Sequence, residues 1–90
     1  MDGVKEILQA LETIERSVGS GNDAARAQAA IRTARAKTAS SSDALLKQLA
    51  AELLTWESKF PVIWHESDGR RGMAKHAKHW MEKLKGSGDG

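Results

Sequence analysis

The sequence predicts an all-α fold: an up-down antiparallel four-helix bundle, or its near variant of three helices with a fourth docked obliquely. Apolar residues recur at three- and four-residue steps in separate segments, the signature of one buried helical face. Eight alanines fall between residues 24 and 39, giving that stretch high helix propensity. Glycine, serine and proline punctuate the chain between the periodic segments.

The first helix is expected over 2–18, where Val4, Ile7, Leu8, Leu11, Ile14 and Val18 share a face. Asp2 can cap its start, and Glu6 in the first turn suits the helix dipole. Gly19-Ser20-Gly21 is the expected stop. Asn22 can cap a second helix over 22–38, with Asp23 in its first turn and Ala24, Ala27, Ile31 and Ala34 facing inward. Ile31 is the one large aliphatic side chain on that face, so the helix packs closely but buries little. Ser42 or Asp43 should start a third helix over 43–59. Its broad face of Leu45, Leu46, Leu49, Leu53, Trp56 and Phe60, widened by Ala50 and Leu54, makes it the expected centre of the core.

Pro61 lacks an amide donor and crowds the preceding turn, which predicts an end or kink near Lys59. Val62-Ile63-Trp64 then reads as a short helix begun by Pro61 or as an extended strap over the core, and His65-Glu66-Ser67-Asp68-Gly69 as a turn. Ser67 or Asp68 can cap the last helix, expected over 70–85 with Met73, Ala77, Trp80, Met81 and Leu84 as its apolar stripe. The organisation expected is one domain over 1–85 and a disordered Gly/Ser tail over 86–90.

Composition narrows the function classes. With 90 residues, 40% hydrophobic and 29% charged, the chain has the balance of one ordinary globular domain. Cysteine is absent, so no disulfide, thiolate metal site or cysteine nucleophile exists. That is compatible with a reducing compartment, and a cytoplasmic location is expected. Neither a signal peptide nor a membrane-spanning run is visible. The net charge of +2 is too small to argue for nucleic acid by itself. It is unevenly placed, being −2 over residues 1–18, +3 over 19–40, −1 over 41–60 and +2 over 61–90.

Three groups of residues bear on function. His65, His76 and His79 are the weak metal-ligand candidates, with His76 and His79 three apart on one helix. No second His-x-x-His or Glu-x-x-His pair supports a di-iron bundle. Arg70, Arg71, Lys75, Lys78 and Lys83 form a basic face that could follow a phosphate backbone, without Asn, Gln or Arg placed to read bases on the outer face of that helix. Leu54, Phe60, Ile63 and Trp64 supply an apolar patch, a partner anchor if Trp64 is exposed and core if it is not.

Catalysis is not expected. No nucleophile elbow and no glycine-rich phosphate loop is present, and a bundle this small has little room for a substrate pocket of about 300 Å³ or more. The leading expectation is therefore a non-catalytic interaction module, binding a protein partner or itself through the patch near Trp64. Nucleic-acid binding through the basic face is the alternative, and a divalent-metal bundle the weaker one. No cofactor, membrane or small-molecule substrate is expected.

Overall fold

In the computed structural model, residues 2–17 and 24–88 are described, with the side chains of residues 4–17 and 25–86. They form α1 (Asp2–Arg16), α2 (Ala24–Ala39), α3 (Ala44–His65) and α4 (Ser67–Gly88). Each helix packs on two neighbours: α1 on α2 and α4, and α3 on α2 and α4. The diagonal pairs do not approach, so the four helices make a square ring, the antiparallel bundle the sequence predicts. Its long dimension of 37 Å is close to the length of a 22-residue helix, about 33 Å.

The core follows the periodic positions. Ile7, Leu11 and Ile14 are buried from α1, and Ala27, Ile31 and Ala34 from α2. From α3 come Leu46, Leu49, Leu53, Trp56, Phe60 and Trp64, and from α4 Met73, Ala77, Trp80 and Leu84. A buried Leu, Ile or Phe contributes roughly 1.5–3 kcal/mol by leaving water, so the alanine stripe of α2 contributes least and Ile31 carries most of its share. Two buried hydroxyls are satisfied within their own helices: Ser17 Oγ donates to the Thr13 carbonyl at 2.8 Å and Thr38 Oγ1 to the Ala34 carbonyl at 2.8 Å.

Asp43 caps α3, its Oδ1 accepting from the Leu45 amide at 2.9 Å. The capping and stop roles expected of Gly19 to Asp23, and the place of Val18 on the first stripe, lie outside the described residues.

Three expectations are corrected. First, α3 does not stop at Lys59 but continues through Pro61 to His65, taking up Val62-Ile63-Trp64. Proline inside a helix costs about 3 kcal/mol. Here Pro61 faces solvent while Phe60 and Trp64, four residues apart, stay in phase with Trp56 on the buried face. Burying those two aromatic rings outweighs the missing amide bond. Second, the turn expected over 65–69 contracts to Glu66, the one residue between α3 and α4. Glu66 is extended (φ −107°, ψ 129°). Its amide donates to the Ile63 carbonyl at 3.2 Å, and its carbonyl accepts from the Arg70 amide at 3.0 Å. Such a tight reversal presses α4 onto α3 at Gly69, where a Cβ would stand 2.7 Å from the Ile63 carbonyl oxygen. Third, the last helix is longer than the expected 70–85, spanning Ser67–Gly88.

Candidate functional site

The sequence-predicted apolar patch is split by the fold. Trp64 is 9% exposed and stacks on buried Phe60, ring centroids 5.0 Å apart. Ile63 is half-buried against the core. Trp64 is therefore a core residue and not a surface anchor, because the phase of α3 carries it inward. Leu54 remains outside at 54% exposed, joined by Val62 at 64%. Between Lys47 and His65 the exposed positions of α3 are Gln48, Ala51, Leu54, Thr55, Ser58, Lys59, Pro61 and Val62, of which Lys59 alone is charged.

The charged residues are sorted by helix. The four cations of α2 carry no acidic neighbour within that helix, and three of them pair across helix boundaries. Arg32 and Arg35 both face Glu57 of α3, and Lys37 Nζ lies 2.8 Å from Glu6 Oε2 of α1. Glu6 holds the Lys37 ammonium above its ordinary pKa, by hydrogen bonding and then by its charge. On α4, Arg70, Arg71, Lys75, Lys78, Lys83 and Lys85 stand against Asp68 and Glu82 alone, a net charge of +4. Among the described residues none of these six has a carboxylate within 4 Å. Arg71, Lys75, Lys78 and Lys85 fall along the solvent side of the helix, while Arg70 is half-buried toward its start.

Where α4 meets α3, a groove of about 510 Å³ is lined by Gln48, Glu52, Lys75, His76, His79, Trp80 and Lys83. Glu52 is its centre. One carboxylate oxygen, Oε2, accepts the Trp80 indole N–H at 2.7 Å, and the other lies 3.2 Å from His76 Nδ1. Lys83 Nζ sits over the Trp80 ring, 5.0 Å from its centroid, and His79 meets the same indole edge-on. The sequence reading had Lys75, Lys83, His76 and His79 but missed Glu52 and Gln48. Glu52 and Trp80 are 28 residues apart and meet only through the register of α3 on α4.

A larger hollow of about 700 Å³ lies between α1 and α2. It is an open trough produced by small side chains such as Ala10, Ala29 and Ala30, with Glu6 and Arg26 its charged members. Nothing converges in it. The metal-ligand candidates are likewise separated: His65 closes α3, while His76 and His79 belong to the groove. Among the described residues no three His, Asp or Glu side chains cluster as a metal ion would require. No helix is long and apolar enough to cross a membrane.

Comparison of the sequence with protein-family models, with curated proteins and with solved structures gives no match.

Proposed function

We propose that the chain is a non-catalytic binding module that docks the phosphate backbone of a nucleic acid along the outer side of α4. The observation that carries this reading is the contrast between α2 and α4. Both helices hold more cations than acids, but three of the four on α2 are paired with Glu57 and Glu6 of neighbouring helices, whereas those of α4 have no carboxylate within 4 Å among the described residues. Arg71, Lys75, Lys78 and Lys85 follow one side of the helix over fourteen residues, about 21 Å. Three of the four are lysines, which engage phosphates as point charges, so binding is predominantly general, although Arg71 stands on the outer face where no arginine was expected.

Fluorescence anisotropy with a labelled single-stranded oligonucleotide tests this. Four phosphate contacts predict a log–log salt slope of about −3, and Lys78→Glu should weaken binding and flatten that slope. Affinity indifferent to salt, or unchanged by Lys78→Glu, would remove the reading.

A second reading rests on a separate observation, the exposure of Leu54 and Val62 on the outer side of α3, where Lys59 is the one charge between Lys47 and His65. It favours a protein partner, for which a second copy of this chain offers the same exposed Leu54 and Val62. Self-association would then be salt-tolerant and lost in Leu54→Glu, which sedimentation at two salt concentrations reads directly.

A further inference from the structure

The α3–α4 groove is distinct from the outer row of cations and has its own chemistry. Lys75, His79 and Lys83 follow one another at four-residue steps along its α4 wall, with Gln48 and Glu52 on the wall opposite. Lys75 and Lys83 each stand one helical turn from His79, about 6 Å along the axis, within reach of a lysine's four-carbon stem. Both ammonium groups can therefore converge on a single small ligand beside His79.

Glu52 does not compete for them. Its two oxygens are turned to Trp80 Nε1 and His76 Nδ1, which fixes the carboxylate and leaves Lys75 and Lys83 without a carboxylate partner among the described residues. The indole beneath is already covered by Lys83 and flanked by His79, so a flat ring has no free face to stack upon. Beside the engaged Glu52 carboxylate, the donors left to a ligand are two ammonium groups, the Gln48 amide and the His79 imidazole. A ligand matched to it is compact, doubly negative and rich in acceptors.

We infer that the α3–α4 groove seats a phosphate monoester, held by Lys75 and Lys83 around His79, with Gln48 opposite. Lys75 also belongs to the outer row, so one source of such a group is the terminal phosphate of a strand lying along α4, and that source rests on the reading proposed above. The other is a free phosphomonoester, which needs no nucleic acid.

The test uses the full chain and two probes. Inorganic phosphate is titrated at constant ionic strength while amide and side-chain NMR signals are followed. Shifts are expected to centre on Gln48, Lys75, His79 and Lys83. Lys83→Gln and Lys75→Gln should each weaken the response by about tenfold, the effect of one charge-assisted hydrogen bond. Arg26→Gln, across the ring on α2, should leave it unchanged. Both lysines are exposed, and circular dichroism confirms that the variants remain folded. The inference is overturned if phosphate moves no groove signal, or if Arg26→Gln weakens binding as much as the groove variants.

The second probe is a pair of oligonucleotides differing only in a 5′-phosphate. Tighter binding of the phosphorylated strand, lost in Lys83→Gln, supports the strand end as source. Equal binding of the two strands with an intact phosphate response supports a free phosphomonoester. Because Lys78 lies outside the groove, loss of oligonucleotide binding in Lys78→Glu with phosphate binding retained separates the two sites.

Discussion

Gly69 and Gly72 lie three residues apart in α4, and the structure assigns them opposite responses to the same substitution. At Gly69 a new Cβ would lie 2.7 Å from the Ile63 carbonyl oxygen and 3.0 Å from both Ile63 Cα and Cγ2. Two of those three atoms are backbone, so relief requires α3 and α4 to part at their tightest point. Forcing a methyl into such a contact costs on the order of 1–3 kcal/mol, against a gain of about 0.5–1 kcal/mol from replacing a helical glycine by alanine. At Gly72 nothing lies within 4 Å of the new atom, and the gain is unopposed. Gly69→Ala is therefore expected to destabilise by up to about 2.5 kcal/mol net. Gly72→Ala is expected to stabilise by about 0.5–1 kcal/mol. In a domain of this size 1 kcal/mol moves Tm by about 4–8 °C, so thermal and urea unfolding followed by circular dichroism resolve both signs. A Gly69→Ala protein as stable as the parent would show that the corner does not hold the two helices at this separation.

Pro61→Ala restores the amide missing from α3 on its solvent side. It should raise stability by about 1–3 kcal/mol in urea unfolding, less than the full helix-interior cost because proline also restrains the unfolded chain. Ile31→Ala removes the single large aliphatic side chain that α2 buries. A loss of about 2–5 kcal/mol is expected, and a loss below 1 kcal/mol would mean that α2 is held by its ion pairs. Glu52→Ala leaves the Trp80 indole N–H without its acceptor. It should cost about 1–3 kcal/mol, and Trp80→Phe in the same background should cost less than it does in the parent. The raised pKa of Lys37 means that its link to Glu6 is fully present below about pH 10 and is lost as pH climbs through the folded value. Stability of Lys37→Met should accordingly be flatter than the parent's above that pH.

The sequence made the ring of helices legible because its signal is local and periodic. Ile7, Leu11 and Ile14, like Ala27, Ile31 and Ala34, are spaced to face inward whatever they pack against, and all six are buried. The break at Pro61 was misread because proline is a strong local stop signal, although Trp56, Phe60 and Trp64 kept one four-residue phase across it. Reading that phase as continuous would have buried Trp64 and left Leu54 as the exposed member of the patch. Gly69 was legible as a special position but for another reason: it belongs to α4 and is needed for close approach to Ile63. The groove was half legible. Its α4 wall follows from four-residue steps, but its Glu52 floor depends on how far one helix slides along another, which no local pattern encodes.

The ring of contacts closes between the first helix and the last. Without α4, α1 and α3 would each lack one of their two neighbours. Docking of α4 supplies two of the four helix interfaces at once and ties the last segment of the chain to the first. By the same logic, loss of α1 would strip a side from α2 and from α4 at once, loosening the helix that presents the basic row even though no residue of α1 belongs to it.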